Sequence, residues 1–173
     1  MNSPIKAYPR ANGSWGLRNH VLILPLHSAL SASARSIAAA SDGAVAISHD
    51  WSGEKDSDLA RILHTLTGYA ANPNIYATVF LTVGSSDEEL IMKGATALGL
   101  ERSAIISLPQ CGSMEKLQSQ ALGAAQEFLK SAAQVQRVSA PWSAIVLGLE
   151  CGGSDAYSGI TANPALGVAS DKL

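Results

Sequence analysis

Charge is scarce in this chain. Asp, Glu, Lys and Arg make up 15% of its 173 residues, while hydrophobic residues make up 47%, so part of the surface is expected to be apolar and to serve as an interface. The formal net charge is -2, and no cluster of Lys and Arg occurs anywhere, which excludes the electrostatic footprint of a nucleic-acid binder. Cysteine is limited to Cys111 and Cys151. Two thiols are too few for a disulfide framework; they are expected to stay free, Cys111 as a small buried side chain. No apolar run approaches the roughly 20 residues of a membrane helix, and Met1-Asn2-Ser3-Pro4 lacks the apolar core of a signal peptide, so no membrane partner and a cytoplasmic location are expected. Nor does a Gly-x-Gly-x-x-Gly follow the first apolar run, which weighs against a dinucleotide site.

What the chain does contain is an alternation of short apolar runs with helical periodicities. Val21 to Leu26, Ala44 to Ser48, Tyr76 to Val83, Ala104 to Leu108 and Ala144 to Leu149 are unbroken and rich in branched side chains, the signature of strands buried on both faces. Between them lie an Ala/Ser-rich helix over 28–40 and a helix over 56–70 with Leu59, Ile62, Leu63 and Leu66 at helical spacing. A third helix runs to Leu98 behind a capping box of Ser86 and Glu89, and a long fourth one follows Ser113, with Leu117, Ala121, Ala124 and Phe128 on one face. Strands joined by such helices form right-handed crossovers. The expectation is an α/β fold of Rossmann-like or flavodoxin-like type, an open, wound and mainly parallel sheet of about five strands with helices on both faces. Residues 1–20 are expected to form an extended lead-in arm, 21–173 a single α/β domain, and 132–141 a plain surface connection.

Ligands in wound sheets collect beyond the carboxyl ends of the strands. There the chain carries His27-Ser28, His49-Asp50-Trp51-Ser52-Gly53, Gly84-Ser85-Ser86-Asp87, Gln110-Cys111-Gly112 and Glu150-Cys151-Gly152-Gly153-Ser154-Asp155. Each of these is also an ordinary βα turn. The last is denser than a turn requires: a thiol, two flexible glycines, a hydroxyl and a carboxylate, followed by Asn163-Pro164. Arg10, Arg18 and Asn19 in the lead-in suit a carboxylate clamp, because guanidinium groups take carboxylates bidentately. His49 has a structural alternative as a hydrogen-bonded histidine, and Asp155 has one as a helix cap. His20, His27 and His64 are assigned structural or exposed roles.

Together these residues resemble the altronate/galactarate dehydratase family, which includes sulfolactate sulfo-lyase large subunits. The resemblance rests on Tyr8-Pro9-Arg10-Ala11-Asn12-Gly13 with Gly16-Leu17-Arg18-Asn19-His20, on His49 through Gly53, on Thr65 through Asn74, and above all on the block Leu147 through Gly167. It implies removal of water from a sugar acid with a divalent metal, iron(II) first and manganese or magnesium as alternatives. It further implies His49, Ser154 and Asp155 as catalytic residues, and Arg10, Arg18, Asn19, Gly152, Gly153 and Asn163 around the substrate. Cys151 and His49 are the implied metal donors. Partners implied are a remaining C-terminal catalytic domain or subunit and further copies of the chain, and the isolated chain is expected to be a truncated, inactive portion of a longer enzyme. Glu54, Asp87 and Ala29 stand where the family carries cysteines, and Asn12 where it carries Asp. Those departures keep open a non-catalytic sugar-acid-binding or subunit-assembly module.

Overall fold

The computed structural model describes residues 4–53, 58–153 and 155–173. The chain divides into two compact units: one is Ala7–Val138, the other joins the N-terminal residues through Lys6 to Ser139–Leu173.

The larger unit holds a parallel sheet of four strands: β3 (His20–Pro25), β4 (Ala44–Ala46), β5 (Ile75–Thr82) and β6 (Ser103–Ser107), in the order β4-β3-β5-β6. Ahead of them β1 (Ile5–Pro9) and β2 (Trp15–Gly16) pair antiparallel, Tyr8 opposite Gly16 and Pro9 opposite Trp15. The central strands β3 and β5 are buried along almost their whole length, and strict alternation sends their side chains to two cores. Val21, Ile23, Val79 and Leu81 face α1 (Ser31–Ala39) and α5 (Met114–Gln134), where Ala34, Ile37, Leu117, Ala121 and Ala125 meet them. Leu22, Leu24 and Phe80 face α2 (Leu59–Ala70) and α3 (Ser86–Ala97), against Leu66, Ala70, Ile91 and Ala95. Each fully buried Leu, Ile or Phe contributes about 1.5–3 kcal/mol. Right-handed crossovers explain which helix lies where: α1 leads leftward from β3 to β4, whereas α2 and α3 lead rightward, so they cover the opposite face.

Three expectations need correction. Ala144 to Leu149 is not a fifth strand: Trp142–Ala144 is a 3-10 turn, the following residues have no strand assignment, and Val146 is 97% exposed. An apolar run becomes a strand only when a neighbouring strand takes its backbone hydrogen bonds, and among the described residues none does so here. The stretch 132–141 is more than a connection, because α5 continues to Gln134 and β7 spans Val138–Ala140. The capping box lies one residue earlier than expected, at Ser85 and Glu88. Gly84, at φ +93°, ends β5 and leaves extended Ser85 as N-cap.

Glu88 is 1% exposed, and its carboxyl oxygens accept from the Thr82 hydroxyl and from the backbone N–H groups of Val83 at 3.2 Å, Gly84 at 2.8 Å and Ser85 at 2.7 Å. Truncation would take this partner from the Val83 and Ser85 N–H groups, while the Gly84 N–H keeps the Thr82 hydroxyl at 2.8 Å. Glu88→Ala is expected to lower stability by about 2–4 kcal/mol in urea unfolding; a loss under about 1 kcal/mol would show that water replaces the carboxyl group.

Candidate functional site

The strand order reverses between the parallel neighbours β3 and β5, and a wound sheet opens its ligand crevice at the carboxyl ends of two such strands. His49 reaches this place. Its Nε2 lies 2.7 Å from the Pro25 carbonyl, the last residue of β3. The segment carrying it is tied down on both sides: Ser31 Oγ donates to the His49 carbonyl at 3.2 Å, and the Ser28 N–H to the Trp51 carbonyl at 2.8 Å. A carbonyl only accepts, so Nε2 carries the proton and Nδ1 keeps a lone pair. Nδ1 is buried and has no hydrogen-bond partner among the described residues. An unpaired buried acceptor costs roughly 1–3 kcal/mol, which marks it as a position awaiting a donor. His27, by contrast, accepts from the Ala29 N–H through Nδ1 at 3.1 Å and caps the following 3-10 turn.

At the same crevice, the turn between β5 and α3 is organised from within. The Glu88 carboxyl group accepts from the N–H groups of Val83, Gly84 and Ser85.

Beside His49 a groove of about 540 Å³ runs between Ile47–Trp51 and α2. Ile62, Leu66, Trp51 and Tyr69 make its wall apolar, while Arg61, Thr65 and Asp50 add polar groups. Sequence reasoning had placed only His49 here. Arg61, Thr65 and Tyr69 recur every four residues and so form one stripe of α2 beside the buried one; that spacing was the available signal.

Arg10, Arg18 and Asn19 lie at the other end of the strands, before His20 opens β3. Across the roughly 17 Å of that strand, the structure does not bring them to His49. Arg10 is engaged internally: Nε donates to the Pro73 carbonyl at 2.8 Å, and a terminal nitrogen donates to Asn19 Oδ1 at 2.9 Å and to the Arg18 carbonyl at 3.4 Å. Burial lowers the Arg10 pKa from its ordinary value, and the charge of Glu101 partly opposes this. Asn19 in turn donates to the Ala132 carbonyl at 2.9 Å. Gly16 permits this docking, since a Cβ there would lie 2.2 Å from the Pro73 carbonyl oxygen. Arg18 alone of the three stays exposed.

In the other unit Cys151, Gly152, Gly153 and Asp155 are exposed. Cys151, with Leu149, Glu150, Asn163, Leu166 and Gly167, lines a groove of about 310 Å³. Its thiol donates to the Gly153 carbonyl at 3.5 Å. Asp155 does what a cap does: one oxygen accepts from the N–H groups of Tyr157 at 2.8 Å and Ser158 at 2.9 Å, the other from the Ser158 hydroxyl at 2.7 Å. Those bonds, the Ser158 hydroxyl first, hold its pKa below 3.8. A Cβ at Gly152 or Gly153 would meet nothing within 4 Å, so neither glycine is required by a close approach in this unit. Ser154 and Glu54 lie outside the described residues.

A family model described as D-galactarate dehydratase/altronate hydrolase, second domain, matches residues 7–133, well over half of the chain. The chain belongs to the D-galactarate dehydratase/altronate hydrolase family. A second model, D-galactarate/altronate dehydratase, C-terminal, matches residues 142–173, so the family's two segments fall on the two units seen here. Among similar proteins, the (2R)-sulfolactate sulfo-lyase subunit beta of Chromohalobacter salexigens is 32% identical over 96% of this chain and 42% of its own length. Galactarate dehydratase (L-threo-forming) of Escherichia coli is 35% identical over 64% of the chain and 23% of its own length. Altronate dehydratase of Bacillus subtilis is 28% identical over 99% of the chain and 37% of its own length. The chain therefore spans less than half the length of these relatives.

Of the positions expected to depart from the family pattern, Ala29 is exposed and Asp87 half-buried in the first turn of α3. Among the described residues no three His, Cys, Asp or Glu side chains converge as a metal centre needs. The described donors of either unit do not by themselves fit a divalent ion.

The Asp155 cap has a testable titration. Because its folded pKa is depressed, its contribution is present above the ordinary carboxylate value and is lost as pH falls through the folded one. The Ser158 amide resonance should therefore move with a midpoint below 3.8, and Ser158→Ala should raise that midpoint. A midpoint at or above the free value would refute the cap.

Proposed function

We propose that this chain is part of a cytoplasmic sugar-acid dehydratase, a carbon-oxygen lyase that removes water from an aldonate or aldarate such as altronate or galactarate to give a 2-keto-3-deoxy acid. Family membership supports a lyase of this kind, and the observation that carries the reading to a site is His49, held at the topological switch point by the Pro25 carbonyl with its Nδ1 unpartnered among the described residues. Dehydration takes the proton next to the carboxylate, breaks the neighbouring carbon–hydroxyl bond, and lets the resulting enol become the ketone. His49 Nδ1 is the base in this scheme. The groove beside it offers Arg61 for the substrate carboxylate and the hydroxyls of Thr65 and Tyr69 for the sugar-acid chain.

The reading also includes the exposed loop of the smaller unit. Cys151 is the candidate thiolate donor to a divalent metal, iron(II) first and manganese or magnesium otherwise, with the remaining ligands drawn from outside the described residues. Such an ion supplies a Lewis acid for charge that develops on oxygen. Ser154, Gly152, Gly153 and Asn163 are the substrate contacts assigned to this loop, where Asp155 orders the backbone as a cap.

A companion domain or subunit is part of the proposal. Its support is the apolar surface of the smaller unit, where Val146 is 97%, Tyr157 79% and Ile160 73% exposed. A second reading, a non-catalytic sugar-acid-binding or assembly module, is favoured by the failure of three metal donors to converge among the described residues.

Metal analysis of the purified chain, followed by calorimetric titration with galactarate and altronate, separates the two. Stoichiometric metal that falls on Cys151→Ser, with acid binding that weakens at least about tenfold in His49→Ala, supports the lyase. Acid binding without metal supports the acid-binding module, and silence in both measurements overturns the lyase and leaves only the assembly module. The chain alone is expected to turn over little sugar acid, and robust turnover by these residues would contradict the need for a companion.

A further inference from the structure

Apart from the His49 groove, the amino end of β3 carries a pair of guanidinium groups, of which Arg18, expected in a carboxylate clamp with Arg10 and Asn19, has Arg137 as its neighbour instead. Arg18 donates to the Leu17 carbonyl at 3.2 Å, and Arg137, just past the end of α5, donates to the same oxygen at 3.1 Å. Both side chains belong to the unit Ala7–Val138 and both residues are exposed. Neither has a carboxylate within salt-bridge distance among the described residues; the nearby Glu101 is engaged with Arg102 at 3.0 Å and with the Ala11 N–H at 2.8 Å. Arg10 adds a third cation, the Tyr8 ring lying between it at 5.9 Å and Arg137 at 5.2 Å.

Two like charges drawn to one neutral carbonyl repel each other, and nothing among the described residues neutralises them. Each guanidinium has five N–H donors, of which the structure engages one in a hydrogen bond for Arg18 and one for Arg137. Arg137 is held in place by the Tyr8 face, and the backbone that bears Arg18 is fixed by Asn74, whose Oδ1 accepts from the N–H groups of Leu17 at 2.8 Å and Arg18 at 2.9 Å. The forks are thus held close together with most of their donors directed to solvent. We propose that Arg18 and Arg137 form a binding site for a divalent oxyanion, a phosphate or a dicarboxylate, which bridges the two forks with paired N–H···O bonds. The sequence offered no route to it, because Arg137 stands 119 positions from Arg18 in a stretch that reads as a surface connection.

The test follows the arginine side-chain N–H resonances of the full chain during titration with inorganic phosphate, and separately with galactarate, at constant ionic strength set with chloride. Saturable shifts at both Arg18 and Arg137 with millimolar midpoints are expected, weakened about fivefold or more in Arg18→Gln and in Arg137→Gln. Saturation by only one of the two anions would identify that source and support the site. Arg137→Lys keeps the charge but not the fork; it covers the case in which Arg137→Gln fails to fold, and it should weaken binding too. Lys93→Gln, on the exposed side of α3, should leave the midpoint unchanged. Shifts that grow linearly without saturation, or midpoints equal in wild type and Arg18→Gln, would overturn the proposal. Loss of this site leaves acid binding at the His49 groove untouched, so the two outcomes are separately readable.

Discussion

The hydrogen bond between His49 Nε2 and the carbonyl of Pro25, 2.7 Å long, is the contact that ties the candidate site to the sheet. It joins the end of a strand buried on both faces to the loop that follows its neighbour. Because β3 and β5 lie in the middle of the sheet, with helices on either side, neither strand can shift without opening two cores at once. That rigidity passes through one carbonyl to an imidazole, fixing its tautomer and leaving the second nitrogen as an acceptor. The Glu88 carboxyl group performs the same service on β5, where it organises the turn into α3 from within.

Much of the architecture was legible because double burial writes itself as an unbroken apolar run. Val21 to Leu26 and Tyr76 to Val83 read as central strands for that reason, and they are. Ala144 to Leu149 carries the same signature, yet it is open to solvent. An apolar run records that something covers it and not what does so. Register was less legible than pattern. Ser85 and Ser86 both have an acidic residue three positions on, and only the left-handed turn at Gly84 decides between them.

The candidate site was legible in its chemistry and less so in its grouping. Arg10 and Asn19 have the donors of a carboxylate clamp, but Pro73 and Ala132, which take those donors up, are remote in sequence and invisible to a local pattern. The groove beside His49 was missed because its polar stripe on α2 looks like any solvated helix face until the loop beside it is placed. The Cys-Gly-Gly-Ser-Asp block stood out by density, and its Asp proved to order the following turn. Family membership and the two-unit division agree with one another, and the two candidate groups fall in different units, the His49 imidazole in one and the Cys151 thiol in the other.

The most direct test is a long-range proton–nitrogen NMR spectrum of the four histidine side chains, recorded before and after saturation with galactarate, with His49 assigned by its Ala variant. Expected is an Nε2-protonated ring whose unprotonated nitrogen is Nδ1 and whose Nδ1 resonance moves when the acid binds. A ring protonated on Nδ1, or one indifferent to saturating sugar acid, would contradict the assignment of His49 as the base.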